Sequence, residues 1–343
     1  MMPGLSWPGL TFQRLRKRFS RHAIVLMYHR VTELDVDPWN LSVTPANFER
    51  HLAVIRRHAS PIPLHDLAAA RSRGDMPECS VAITFDDGYA NNLHRAAPLL
   101  AKYELPATVF VAAGYTDSDA EFWWDELERL LLQPGTLPAE LTLPVNGDLP
   151  TWPLGAAESY SEEEYHGDLA HTSCGRRTSA RALFYYAVWQ QLQPLEATQR
   201  RDLLGRLAEW SGRTAGLRET HRPMRAAELR ALVESGLIWA GAHTMTHPLL
   251  PAHEPQVQRE EIERSKLSLE TMTGRTVPSF SYPFGNSTEA TRAIVKAAGF
   301  ESACTTVQEC LWRGNEPFLL PRFEVRNWTE SEFERRLLAW FSV

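Results

Sequence analysis

Val81-Ala82-Ile83-Thr84-Phe85-Asp86-Asp87-Gly88 is an apolar run that ends in two adjacent carboxylates and a glycine. Its β-branched and aromatic residues and its length predict a strand buried on both faces. Adjacent residues leaving a strand point in different directions, so the two carboxylates can serve two different partners. Gly88 lets the backbone turn sharply just after them.

The same pattern recurs on either side. Ala23 to Tyr28 is another continuous apolar run. Thr44-Pro45, followed by Phe48, Leu52 and Ile55, reads as a capped helix with proline at its first position. Asn91 to Tyr103 reads as a helix and Ala107 to Ala112 as a strand. Gly236 to Ala242 is a further apolar run. Glu254 to Thr273 reads as a long amphipathic helix stopped by Gly274. Then come Phe280 to Tyr282, a helix over 287–298, Ser302 to Thr305, Leu319 to Val325, and a last helix from Glu330 to Phe341. Strands alternating with helices imply a parallel sheet with right-handed crossovers. The expected fold is α/β, a distorted (β/α) barrel with about seven parallel strands. An open doubly wound sheet is the alternative.

The alternation breaks between about residues 116 and 222. Leu137 to Leu154 is proline-rich and reads as loop, and Ser159 to Ser179 is polar. Arg181 to Gln193 and Leu195 to Trp210 read as amphipathic helices. This is expected to be a helical insertion over a barrel spanning 23–343, without a metal-spaced cluster of its own.

Chemistry gathers at the strand ends. His243-Thr244-Met245-Thr246-His247 follows the 236–242 run. Imidazoles four apart can share one face of a helical turn and reach one ion. One carboxylate and two imidazoles make a three-ligand site with an open position for water, and the other carboxylate stands where a general base is needed. Tyr282-Pro283-Phe284-Gly285 is a turn whose backbone N–H groups can face an oxyanion. His29, in Met27-Tyr28-His29 at the end of the first strand, can donate a proton to a leaving amine. Phe122, Trp123 and Trp124 are candidates for stacking on sugar rings, or for pinning the insertion to the barrel.

These strings resemble the motifs of the polysaccharide deacetylase family, carbohydrate esterase family 4. Thr84-Phe85-Asp86-Asp87-Gly88 is similar to its first motif, the 243–247 string to its second and the 282–285 string to its third. The resemblance covers about residues 23–115 and 223–325. It implies a distorted barrel, a bound divalent metal, and hydrolysis of N-acetyl groups on amino sugars, or O-acetyl groups in some members. At matched positions Asp87, His243 and His247 hold the metal and Asp86 is the base. No histidine follows Arg322. The Met27-Tyr28-His29 string instead resembles the permuted arrangement of bacterial poly-N-acetylglucosamine deacetylases, which gives His29 the acid role. Ser281 stands where many members carry an arginine that pairs with the base, and Arg322 is the candidate to replace it. Tyr282, Pro283, Phe284 and Trp124 are the candidate oxyanion and substrate contacts. Zinc is the expected ion, with cobalt, nickel or iron as alternatives for such ligands.

Bulk properties agree. The chain has 343 residues, 43% apolar residues, eleven tryptophans and a net charge of −6, which argues against nucleic acid as the main partner. No CxxC pair is present among the four cysteines, and they read as reduced thiols of a cytoplasmic protein. Met1 to Ser20 has no apolar h-region. Residues 10–21 set Leu10, Phe12, Leu15 and Phe19 among five basic residues. They can lie on the inner face of an anionic membrane or dock on the domain itself, the second reading being favoured. The expected function is metal-dependent removal of N-acetyl groups from an amino-sugar glycan or a lipid-linked precursor. The alternatives are an O-acetyl esterase on the same barrel and a catalytically impaired glycan-binding protein.

Overall fold

The computed structural model describes residues 22–144, 149–172, 179–213 and 216–343. The amphipathic 10–21 stretch lies outside them. Seven of the sheet's nine short strands build its curled body: β1 (His22–Tyr28), β2 (Ser80–Phe85), β3 (Ala107–Val111), β4 (Ile238–Ala242), β5 (Ser279–Ser281), β6 (Ser302–Cys304) and β7 (Phe323–Glu324). Every residue of β2, β3, β5 and β6 is buried, as a sheet covered on both faces requires.

Pairing runs β6-β5-β4-β3-β2-β1, all parallel, and β7 pairs in parallel with β1 through Leu26↔Phe323 and Met27↔Glu324. Neighbours in sequence are neighbours in space, with no reversal of strand order, so the open doubly wound alternative fails. A bridge from Cys304 to Leu320 carries the curl on from β6 to the segment that leads into β7. The result is a strongly curled, distorted half-barrel in which all seven of these strands point one way. Leu311–Trp312 adds an antiparallel pair at the start of β1.

The helices follow their local signals. Thr44 caps α1 (Pro45–His58) by accepting the Asn47 N–H. Next come α2 (Leu64–Arg73) and α3 (Ala97–Tyr103). The span read as one helix from Asn91 starts instead with a π-turn, Asn92–Ala96, which aims the Asn92 amide at the His29 carbonyl. The insertion holds α4 (Trp123–Leu131), α5 (Glu162–Thr172), α6 (Ala180–Leu192) and α7 (Ala197–Ser211). The barrel resumes with α8 (Ala226–Glu234), α9 (Pro255–Thr273), α10 (Glu289–Ala297) and α11 (Glu330–Phe341). Gly274, with φ 66°, ends α9 in the left-handed cap expected of it.

The insertion is more ordered than its composition suggests. The stretch read as loop pairs Glu140–Thr142 with Thr151–Pro153, and Gly135–Thr136 pairs with Ser159–Tyr160. α5 occupies the polar stretch and opens on Glu162, Glu163 and Glu164, which suit the positive end of a helix. Fully buried Arg181 donates to the carbonyls of Leu131, Gly135, Ala157 and Glu158, tying these pieces together. Phe122, Trp123, Leu127, Tyr185, Val188 and Leu207 form the insertion's apolar core, which reaches the barrel through Tyr89 and Ala112.

Candidate metal and hydrolase site

The loops after β1, β2, β4 and β5 meet at the carboxyl ends of the strands, and Arg322, the residue before β7, reaches in beside them. β2 delivers Asp86 and Asp87. Asp87 takes φ 71° and Gly88 φ 88°, two successive left-handed residues that turn the chain away from the sheet. A Cβ on Gly88 would also press on Val111 at 3.0 Å. Asp87 bears the strain of a left-handed non-glycine residue, a cost that recurs at functional sites.

The 243–247 segment is a loop, not the helical turn its spacing suggested. Thr244 and His247 both have positive φ, 67° and 53°. Glu261 of α9 holds the loop, accepting the Met245 and Thr246 N–H groups and the Thr246 hydroxyl, each at 2.8 Å. Arg200 of α7 donates to the Thr246 carbonyl at 2.9 Å. Both imidazoles are thereby turned toward Asp87. His243 Nε2 lies 3.6 Å and His247 Nε2 3.5 Å from Asp87 Oδ1. The three ligand atoms fall within 4.8 Å of one another, and all three residues are buried.

His243 Nδ1 bonds the Ser281 carbonyl at 2.7 Å, which fixes Nδ1 as the protonated nitrogen and leaves the Nε2 lone pair free. Among the described residues, His247 Nδ1 has no hydrogen-bond partner. Its ring is held by Trp124 and Phe284, each 4.6 Å away between ring centroids. Burial first, then the Asp86 charge, pushes the Asp87 carboxyl well above the usual range. Burial lowers His243 to about 4 and drives His247 well below its ordinary value. Two neutral imidazoles and a carboxylate destabilised by its surroundings are the state that a divalent cation relieves. The donor set fits such an ion.

Asp86 faces a different partner. Arg322 grips it with two parallel bonds, Nη1 to Oδ1 and Nη2 to Oδ2, both 2.7 Å. Ser281 Oγ lies 3.3 Å from Oδ2 and accepts from Arg322 Nη2 at 2.9 Å. Arg322 also donates to the Thr84 hydroxyl and the Thr305 carbonyl. Burial opposes charge on Asp86, but Arg322 outweighs it and holds the carboxyl well below the usual range. The arginine absent at position 281 is thus supplied from 322, with the serine filling the space between. His29 follows β1, half-buried; burial lowers its pKa, against the charges of Asp86 and Glu324.

Two expected contacts are corrected. Ser281 faces the site, so period-two alternation turns Phe280 and Tyr282 away. Tyr282 is fully buried, ring to ring with Phe280, and its N–H is taken by the Cys304 carbonyl. Pro283 has no N–H, which leaves Phe284 as the backbone donor of that turn. Trp124 offers no open face to a sugar. It stacks on Phe122 within 5° of parallel, abuts His247, and donates to the Tyr89 hydroxyl. Phe122 and Trp123 are likewise buried.

Sequence reading missed a buried polar network beneath this face. Tyr89 donates to Asp125 at 2.8 Å, and Arg30 bonds both. Asp125, Glu128 and His221 bring three metal-type ligand atoms within 4.8 Å, so the insertion does hold such a cluster. Arg30 and Arg218 already engage its carboxylates, and it reads as an ion-pair network that docks the insertion. The i, i+3 spacing of Asp125 and Glu128 was a visible signal; His221, 93 residues after Glu128, gave none. Cys79 and Cys304 are free thiols, and the Cys310 thiol donates to the Trp340 carbonyl at 3.3 Å. No helix among the described residues is long and apolar enough to cross a membrane.

Fold and site define a curled parallel barrel carrying a buried Asp87, His243 and His247 triad that fits a divalent cation, beside an arginine-clamped carboxylate. The polysaccharide deacetylase family profile matches residues 73–135 and 207–303. The chain belongs to that family. Over 112 residues it is 28% identical to the poly-beta-1,6-N-acetyl-D-glucosamine N-deacetylase of Staphylococcus aureus, a match covering 32% of this chain and 37% of that protein. A Staphylococcus epidermidis protein of the same name is 30% identical over 109 residues, covering 38% of its length. The match thus spans little more than a third of these relatives. The fold is shared with the Streptococcus pyogenes deacetylase PplD, solved with acetate (TM-score 0.58, 17% identity, 94% of this chain and 99% of that one). It is shared too with IcaB from Ammonifex degensii (TM-score 0.56, 17% identity, 94% and 98%).

Proposed function

We propose that the chain removes N-acetyl groups from amino-sugar residues of a glycan. The observation that carries this reading is the division of labour between adjacent carboxylates: Asp87 points to two imidazoles, while Asp86 is kept ionised by Arg322. The Staphylococcus relatives, named as poly-beta-1,6-N-acetyl-D-glucosamine deacetylases, support an N-acetylated polymer as substrate.

Asp87, His243 and His247 would hold a divalent cation. When bound, it supplies Lewis acidity toward the acyl carbonyl and toward water. Asp86, acceptor-only and ionised, takes the proton of the attacking water at a carboxylate oxygen. Arg322 and Ser281 keep that carboxylate in one orientation. The Phe284 N–H is the chain's own donor for the oxyanion. His29 hands a proton to the departing amine nitrogen. Desolvation lowers its pKa, which makes its imidazolium a stronger acid for that step. The products are acetate and a free amino sugar.

The test is acetate release from N-acetylglucosamine oligomers together with metal titration. Asp86→Asn is expected to bind about one equivalent of zinc and lose turnover by about 10²-fold or more. His243→Ala is expected to lose both. Full activity in either variant would end the assignment.

A further inference from the structure

Strand order places His29 between two features. On one side of β1 lies β2, ending in Asp86 and Asp87; on the other lies β7, ending at Glu324. Beyond Glu324 opens a cleft of about 1290 Å³, walled by the 32–44 segment and by the chain that follows β7. It exceeds what one sugar ring needs. Its carboxylates are Asp35, Asp37, Glu324 and Glu332, against Arg326 and Arg336. Arg326 pairs with Glu324 at 2.9 Å and Arg336 with Glu332 at 2.8 Å. Asp35 and Asp37 therefore leave the cleft negative.

The direction of the reaction gives this cleft a role. In amide hydrolysis the leaving nitrogen carries the sugar, and the acid that protonates it stands on the sugar's side. The acetyl half thus points to the ligand triad and the sugar half toward His29 and the cleft past it. Each turnover also converts a neutral residue into a cationic one, which a negative wall attracts.

Resting on the proposed deacetylase reading, we infer that this cleft binds the sugars next to the one being processed, and favours those already carrying a free amine. The substrate is then an oligomer, deacetylated at successive residues, rather than a single amino sugar.

Calorimetry reads the cleft without turnover. The metal-loaded protein is titrated with glucosamine, a glucosamine tetramer and an N-acetylglucosamine tetramer, alongside the double variant Asp35→Asn/Asp37→Asn. The glucosamine tetramer is expected to bind at least tenfold tighter than the monomer and tighter than its acetylated counterpart. The variant is expected to lose fivefold or more of that affinity while hydrolysing a small aryl acetate ester at the wild-type rate. Equal affinity for monomer and tetramers, or an unchanged tetramer affinity in the variant, would overturn the inference. Failure of the deacetylase reading shows separately, as metal-loaded protein that releases no acetate from any N-acetylated sugar.

Discussion

Asp86 and Asp87 are neighbours in sequence with opposite electrostatic fates. A guanidinium holds one ionised, whereas burial and its neighbour's charge make the other costly unless a cation is shared. The pair Arg322–Asp86 is fully desolvated, so removing one partner leaves a buried charge alone. Arg322→Ala is expected to cost about 3–5 kcal/mol of stability, measured by denaturant melts. Arg322→Lys, which keeps the charge but not the two-pronged grip, is expected to recover most of that stability and little of the turnover. A lysine variant with wild-type turnover would show that the fork does not orient Asp86. At His29 the expected signature is selective. An amide anion is a very poor leaving group, so His29→Ala should damage amide hydrolysis at least tenfold more than hydrolysis of an activated ester. Equal losses on the two substrates would count against proton donation by His29.

Among the elements, the loop after β4 depends on a helix distant in sequence. Three bonds from Glu261 of α9 shape the 243–247 segment, and none touches a ligand ring. Glu261→Gln cannot accept all three with a charged oxygen pair, so the zinc affinity is expected to fall about 10–100-fold with the fold retained. Competition with a chromogenic chelator measures this, and an unchanged affinity would sink the idea that α9 sets the loop. Most of the site was legible here. Asp86, Asp87, His243 and His247 stand in two short strings after apolar runs; neither string alone decides its chemistry, and together they do, because each supplies what the other lacks. The loop's left-handed path was not legible, because spacing of four fits a helical turn equally well. Nor was the fate of Trp124: an aromatic run at the mouth of a cleft and one inside a core have the same composition.

Across the whole molecule, buried histidines couple folding to pH. Burial holds His51 at about 4, despite its bond to the Trp328 carbonyl, and His221 at about 2. Their unfolded values lie near 6.5. The unfolded chain therefore takes up more protons as pH drops below that value, and stability declines from about pH 6.5 toward 4. His51 alone contributes roughly 3 kcal/mol across that window. Glu128, raised to about 7 by burial, works the other way, as do Asp87, Asp125 and Glu126, which burial also raises; against these four carboxylates stand six lowered histidines, His29, His51, His221, His243, His247 and His253. The urea midpoint of metal-free protein is expected to be markedly lower at pH 5 than at pH 7.5. A level or rising midpoint on acidification would contradict the burial of these neutral rings.

By itself, the sequence determined the alternation of buried strands with capped helices and the residue types placed at the strand ends. Those follow from local periodicity and turn chemistry, which neighbouring residues express without help from distant ones. Only the tertiary structure decided that Arg322 clamps Asp86 across 236 positions of chain, that the insertion packs its tryptophan on the His247 ring, and that a cleft lined by Glu324 opens beside the last strand. These depend on strand order and on which faces meet, and no local pattern encodes either.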